Sequence, residues 1–433
     1  MTYREAVARL SGLRGGEMAG MRPGLERIGT LLEAVGSPER AMTLVQVAGT
    51  NGKGSVSAML AAILQAAGRR VGLYTSPHLV DLRERIRVDG VPIPEADVVD
   101  GVEALGTLIA RLDATMFEAL TALALDHFVR AGAEAAVLEV GLGGRLDSTT
   151  VGRPAVEVVT QIDLDHQAYL GDTLEAIAGE KAAIIRSGVA VCARQAPEAE
   201  RVITARAAAA GVPLLLEGRD LHARLLRSGL DGLWLSLEGP DFRLEDVRCG
   251  LVGLYQPGNA LLAAAAARAL GADESAIRAG LAAARWPGRF QVIAGRPPVI
   301  LDGAHNPAGA RALARSLEAH FPGRRGTFVI GMFSDKDQAG ILEPLLPLAG
   351  RLIFTSAPHK RATPPDALQL LARRLRPELR SDSATDPGEA LRMAMSEPDT
   401  PMVCVAGSLA VIGAILGQAT ENTDIFSEAS LPR

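Results

Sequence analysis

The stretch VQVAGTNGKGSVSAMLAAILQAAG, Val45 to Gly68, sets a glycine-rich turn with one lysine between an apolar, β-branched run and an alanine-rich run of helical length. Glycines let backbone N–H groups converge on anionic oxygens, and a helix that follows directly presents its positive end to the same place. Lys53 can reach a β or γ phosphate. A nucleoside triphosphate therefore fits the loop Gly49, Thr50, Asn51, Gly52, Lys53, Gly54 and Ser55, although the strict G-x-x-x-x-G-K-[ST] pattern is not met. Val47 takes the place of the first glycine, and Gly54 stands between Lys53 and Ser55.

Outward from the loop, strand-length apolar runs alternate with helical patterns. TLVQVA is followed by a helix over 53–67, then RVGLYTS, then helices through Ala131, then AAVLEVG and VEVVTQI. That alternation predicts a parallel sheet wrapped by helices. SGVAVCA and GVPLLL continue it, Glu217 to Arg248 reads as short hairpin strands, and two helices follow from QPGNALLAAAAARAL and DESAIRAGLAAA. RWPGRFQVIAGRPP, Arg285 to Pro298, clusters Pro and Gly between two periodic regions and reads as a boundary. Beyond it VILDGA, TFVIGM, RLIFTS and MVCVAG each lead to a helix. The expected fold is α/β: a P-loop-type parallel-sheet ATPase domain over 1–290, then a smaller Rossmann-like α/β domain over 297–433.

Composition narrows the function. The 433 residues carry a net charge of -5 with both signs interspersed, which offers no basic tract for nucleic acid or an anionic membrane surface. No apolar stretch approaches the length of a membrane span, and the N-terminus lacks a signal-peptide core, so the reading is a cytoplasmic protein. Cys192, Cys249 and Cys404 are far apart and form no metal-binding pair. Of the 45 Lys and Arg residues only Lys53, Lys181, Lys336 and Lys360 are lysine. A chain that uses Arg wherever a surface cation serves keeps Lys where a compact ammonium or a deprotonatable amine is needed; chance survival under a coding bias is the alternative.

The loop GTNGKGS, followed in order by TSPHL (75–79), EVGLGGRLDSTT (139–150), DLDHQAYLGDTLEAIAGEKAAI (163–184) and DGAHNP (302–307), resembles the folylpolyglutamate synthase and dihydrofolate synthase family of the Mur ligase superfamily. The resemblance runs from about Gly24 to Gly407. It implies an ATP-dependent amide ligase acting on glutamate and on dihydropteroate or a folate, with ATP as co-substrate and Mg²⁺ as metal, working as a monomer on small molecules. Amide formation from a carboxylate needs an activated leaving group; transfer of the γ-phosphate supplies one as an acyl phosphate, with metal and cations holding the developing charge.

By that resemblance Ser76, Glu139 and His166 are magnesium ligands, and Lys181 is carbamylated by CO₂ to hold a second metal. Lys53, Lys181 and His166 are thus the catalytic candidates. The position of Glu139 and His166 after apolar runs also puts both at the carboxyl edge of a sheet, where ligands of open α/β sheets collect. For Lys181, a solvated lysine beside Glu180 is the plain alternative. The family further implies that Asn259, Arg289 and Asp302 contact ATP, and His305, at the turn before a proline-started helix, suits nucleotide binding, orientation of the C-terminal domain or a helix entry. The family assigns Gly24, Leu25, Glu26 and Arg27, Thr115, Met116, Phe117 and Glu118, and Leu146, Asp147 and Ser148 to the pterin-bearing substrate. Where the common family form ends in Ala-Thr-Asn this chain has Ser148, Thr149 and Thr150, which differ at the first and last positions. Asn306 equally suits a helix start, and Lys336 either a glutamate carboxylate or a solvated loop. A UDP-muramoyl amino-acid ligase and a P-loop NTPase switch are the competing readings; Gly54 after Lys53 and the TSPHL motif favour folate.

Overall fold

The computed structural model describes residues 1–13 and 24–421; the last residues of the expected C-terminal domain, 422–433, lie outside them. Two compact units emerge, one formed by Met1–Arg224, Leu235–Arg248 and Pro257–Ala284, the other by Leu225–Trp234, Cys249–Gln256 and Arg285–Arg433.

In the first unit the strand Thr43–Ala48 lies at the centre of an eight-stranded sheet. Its neighbours are Ala135–Glu139 on one side and Val156–Val159 on the other, both parallel, with Val45 opposite Val137 and Val156. Val71–Tyr74 follows outside Ala135–Glu139, and Val189–Cys192 and Leu214–Leu216 outside Val156–Val159. These strands are continuous apolar runs because helices cover both faces. The chain leaves Thr43–Ala48 through the helix Lys53–Ala66 toward Val71–Tyr74, and later returns to place Val156–Val159 on the other side. The strand order therefore reverses at the carboxyl end of Thr43–Ala48, and the crevice at such a reversal is where an open α/β sheet binds ligand.

Two short strands, Ile86–Val88 and Val91–Pro92, extend the sheet antiparallel at its edge. The reading of helices directly after RVGLYTS passes over them, because three- and two-residue strands have no detectable period. The helix Lys53–Ala66 is buried nearly all round. It is held tightly against Glu274–Ala283 at Gly280, where a Cβ would sit 2.8 Å from the Ala62 carbonyl carbon. The region 217–248 forms a three-stranded sheet of His222–Gly229, Gly232–Gly239 and Phe242–Cys249.

The sheet of the second unit has six strands in the order Gln291–Ile293, Val299–Leu301, Val403–Ala406, Gly326–Ile330, Ala349–Phe354 and Arg380–Ser383. All neighbours are parallel except the first pair. The stretch read as a Pro/Gly boundary thus contributes an edge strand, Gln291–Ile293. Here too the order reverses: Val403–Ala406 fills the space between Val299–Leu301 and Gly326–Ile330. DGAHNP follows Val299–Leu301 at that reversal. Phe328, Ile330, Phe354 and Leu313 lie in its core. Among the described residues no helix is long and apolar enough to cross a membrane.

Candidate active site

The glycine-rich loop leaves Thr43–Ala48 and turns into the helix Lys53–Ala66 through two left-handed glycines, Gly49 at φ 148 and Gly52 at φ 96. A Cβ on Gly49 would run into the Thr160 hydroxyl, and one on Gly52 would stand 2.6 Å from Asn259 Oδ1. Asn259, in the first turn of Gln256–Ala269, therefore packs its amide directly on the loop. The Thr50 and Asn51 N–H groups donate to the Gln161 carbonyl at 2.9 and 3.2 Å. The first bond of the helix runs from Val56 N–H to the Gly52 carbonyl, so the amides before Val56 form the helix's positive end, where an anion is favoured.

The Thr50 hydroxyl donates to the Asp163 carbonyl at 3.0 Å and accepts from the Asp163 N–H at 3.1 Å. This fixes the segment that carries Asp165 and His166 beside the loop. His166 takes a left-handed conformation at φ 53, with its own N–H bonded to Asp165 Oδ1 and its ring partly exposed.

Both rare lysines of this unit converge on one atom. Lys53 Nζ donates to the Gly49 carbonyl at 3.1 Å and to that of Thr50 at 3.2 Å, and Lys181 Nζ donates to the Gly49 carbonyl at 2.9 Å. Lys181 is only 4 % exposed. Burial, reinforced by the nearby Lys53 charge and opposed by Asp165 and Asp147, pulls its amine down from 10.5 to about 7. Glu180, the neighbour that a solvated lysine would pair with, instead binds Arg145 at 2.9 Å. The solvated reading of Lys181 is thereby corrected: 3.6-residue periodicity turns Glu180 outward and Lys181 inward on the helix Leu174–Ala182.

Glu139 ends its strand beside Val47 and is buried; its Oε2 accepts the Ser76 N–H at 3.2 Å. The structure thus brings Ser76 and Glu139 together. Arg85 lies close to the same carboxylate, itself buried, with Nε donating to His78 Nδ1 at 2.8 Å. Burial keeps the His78 imidazole below its ordinary range, which suits an accepting nitrogen. Among the described residues no three of His, Cys, Asp and Glu stand close enough to hold a metal ion. The Glu139 carboxylate and the Ser76 hydroxyl are oxygen donors of the type Mg²⁺ accepts beside phosphate oxygens, and His166 offers a softer nitrogen.

The residues expected at the pterin-bearing substrate divide by what their polar atoms do. Glu118 caps its own helix, Met116–Arg130, by accepting from the Thr115 N–H and hydroxyl at 2.8 and 2.9 Å, while Arg27 Nε and Nη2 bind its other oxygen at 2.9 Å. Asp147 accepts from the Gly141 and Leu142 N–H groups at 3.0 Å on one oxygen, and from the Thr149 N–H and hydroxyl at 2.9 and 2.6 Å on the other. A carboxylate has about four acceptor positions, so both groups are filled by the protein and shape the site rather than face outward.

Gly24, Leu25 and Arg27 are partly buried and Glu26 is exposed at the start of Glu26–Ala34, with Leu25 at its N-cap. Met116 is buried, Leu146 and Phe117 are partly so, and the Phe117 ring lies 2.7 Å from where a Gly141 Cβ would be. Ser148 and Thr121 share a hydroxyl hydrogen bond of 2.9 Å. Gln46, in the central strand, donates to Thr149 and Thr150 at 3.1 and 2.7 Å. The Ser148 and Thr150 hydroxyls, at the positions that differ from the family's Ala and Asn, are therefore each hydrogen-bonded, and sequence reading did not find their partners because Thr121 and Gln46 lie on two separate elements.

In the second unit Asp302 accepts the Tyr255 hydroxyl at 2.7 Å and the Phe290 N–H at 2.9 Å on Oδ2, and the Ala304 N–H at 2.9 Å on Oδ1. Burial pushes the pKa of its carboxyl up against the pull of these donors and of Arg289. Arg289 Nη1 donates to the Gly288 carbonyl at 3.2 Å and lies over Gly303, whose missing Cβ leaves it room. His305 Nδ1 is 2.8 Å from the Gly303 carbonyl. Asn306 caps the helix Pro307–His320 by accepting from the Gly309 N–H. Lys336 is partly buried in the turn before Asp337, which caps Gln338–Leu342.

Comparison with known proteins places this geometry. Residues 47–267 match the Mur ligase middle domain and residues 288–409 the Mur ligase glutamate ligase domain. The chain is 38 % identical over 427 residues to a probable bifunctional folylpolyglutamate synthase/dihydropteroate synthase of Haloferax volcanii, matching 95 % of this chain and spanning half of that protein's length. It is 38 % identical over 377 residues to a dihydrofolate synthase/folylpolyglutamate synthase of Mycobacterium tuberculosis, covering 81 % of this chain and 77 % of the relative. The folylpolyglutamate synthase of M. tuberculosis, solved in complex with ADP and AMPPCP, superimposes with a TM-score of 0.89 at 35 % identity, covering 99 % of this chain and all of the other.

Proposed function

Because this chain belongs to the folylpolyglutamate synthase/dihydrofolate synthase family of Mur ligases, we propose that it joins glutamate to a folate-type carboxylate, dihydropteroate or a tetrahydrofolate, at the expense of ATP. The observation that carries this reading is the convergence of Lys53 and Lys181 on the Gly49 carbonyl, at the strand reversal and beside the glycine-rich loop. The Lys53 ammonium held there is a cation placed for phosphoryl charge, and the Lys181 amine, drawn toward neutrality by burial, shares its anchoring carbonyl.

The reaction balances in two steps. A substrate carboxylate oxygen attacks the γ-phosphorus and the bond to ADP breaks; the unprotonated glutamate amine then attacks the acyl carbon, expelling phosphate and losing a proton. Lys53 tracks the transferred phosphoryl, the helix start at Gly52 meets the remaining phosphates, and Asn259, Arg289 and His305 complete the nucleotide contacts. Asp302 joins these contacts and also supports Arg289. Ser76, Glu139 and His166 would hold Mg²⁺, whose chemistry is to neutralise phosphate oxygens. Lys181, drawn toward neutrality by burial, has the free amine that CO₂ requires to form a carbamate with loss of a proton, giving one further anionic oxygen for metal. Residues 1–290 act as the ATP-binding part with the pterin-bearing site, and residues 297–433 as the glutamate-ligase part. The protein acts as a cytoplasmic monomer on small molecules.

The test is a substrate panel in which ADP and ligated product are both followed. ADP formation that requires glutamate together with dihydropteroate or tetrahydrofolate supports the reading. Ligation on a UDP-muramoyl substrate, or ADP release from ATP alone, would replace it by a cell-wall ligase or a nucleotide switch.

A further inference from the structure

The Asp302 carboxylate is placed where it can act on Arg289 without touching it. Its Oδ2 binds the N–H of Phe290, the residue after Arg289, and Phe290 sits at φ 46, in the left-handed region that non-glycine residues rarely adopt. A strained backbone of this kind persists only where its surroundings over-determine it. Here they do: Gly288, itself at φ 70, accepts the Gly303 N–H at 2.8 Å and gives its own N–H to Gln291 Oε1 at 3.0 Å, and the Phe290 ring is buried. The turn at 288–291 is thus pinned from both sides, and the Arg289 guanidinium is laid across Gly303.

Asp302 in turn needs to be held. Among the described residues its one side-chain hydrogen-bond donor is the hydroxyl of Tyr255, at 2.7 Å on the same Oδ2. Tyr255 is partly buried against the core of its unit, and Asp302 is 3 % exposed. Burial and the adjacent carboxylate keep the phenol protonated, so it is the donor. Without that hydroxyl a buried carboxylate loses a strong, charge-assisted bond and is free to rotate off the Phe290 N–H.

We propose that Tyr255 is a positioning residue for the ligase reaction: its hydroxyl orients Asp302, which fixes the left-handed turn at Phe290 and so aims the Arg289 guanidinium. This rests on the reading above, in which Arg289 contacts ATP.

The test is a double-mutant cycle with Tyr255→Phe and Arg289→Ala on the full chain, under conditions where both variants keep the parent's melting temperature. Tyr255→Phe alone lowers kcat/KM for ATP by about tenfold or more, and in the Arg289→Ala background it changes it by less than about twofold, because the group it positions is gone. Equal factors in the two backgrounds overturn the proposal and leave the role of Arg289 standing. Full activity of Arg289→Ala overturns the role of Arg289 and the proposal with it. A second measurement needs no substrate: hydrogen exchange in peptides over 286–292, which contain the Phe290 N–H, speeds up by about tenfold or more in Tyr255→Phe. Unchanged exchange there refutes the positioning role whatever reaction the protein catalyses.

Discussion

Replacing Lys181 by Met tests the buried amine through stability rather than activity. In the folded protein the amine titrates at about 7 instead of 10.5. Between those values the unfolded chain binds a proton that the folded chain does not, so the lysine makes stability rise with pH across that window and is most destabilising below it. The whole displacement corresponds to about 5 kcal/mol at ~1.4 kcal/mol per tenfold, an order-of-magnitude figure. From pH 7.5 to 9.0 the parent should gain about 2 kcal/mol relative to Lys181→Met. The measurement belongs in CO₂-free buffer, since a carbamate would remove the titrating amine. Both tryptophans, Trp234 and Trp286, lie in the second unit, so their fluorescence does not follow the unit that holds Lys181. Pulse proteolysis across a urea series, scored on fragments of the first unit, does follow it. A parent-minus-variant difference that stays flat or falls between pH 7.5 and 9.0 would refute the buried, near-neutral amine.

Three further outcomes are expected. Lys53→Ala, which removes the ammonium held by the Gly49 and Thr50 carbonyls, should lower turnover by about a hundredfold or more with little change in melting temperature; near-parental ligation contradicts the phosphate-loop assignment. Glu139→Gln preserves size and removes charge at the Ser76 edge, so half-maximal activity should need more magnesium, and an unchanged magnesium titration would dismiss Glu139 as a ligand. Asp147→Ala strands four loop donors, which should cost about 1–3 kcal/mol of stability for each that stays unsatisfied, and raise KM for the pteroate substrate. Raised KM at parental stability would mean that Asp147 meets substrate directly.

Much of this protein is legible in its residues. Strand-length β-branched runs alternating with helical patterns imply parallel sheets because only such runs, buried on both faces, lack an apolar/polar alternation. The turn at Gly49–Lys53 is readable because glycine φ angles and a helix start are local properties. The scarcity of lysine points to Lys181 before any coordinate does. What the residues could not reveal is set by contacts between distant segments. The strands Ile86–Val88 and Gln291–Ile293 are too short to have a period, and each exists because a neighbouring strand supplies its hydrogen-bond partners. Glu118 and Asp147 look like substrate acids in the sequence, but only the packed structure fills all their acceptor positions with protein donors. Lys181 meets Gly49 across 132 residues, and Tyr255 meets Asp302 across 47. A side chain's type states which bonds it can make; which of them it makes depends on the groups that tertiary packing brings within about 3 Å.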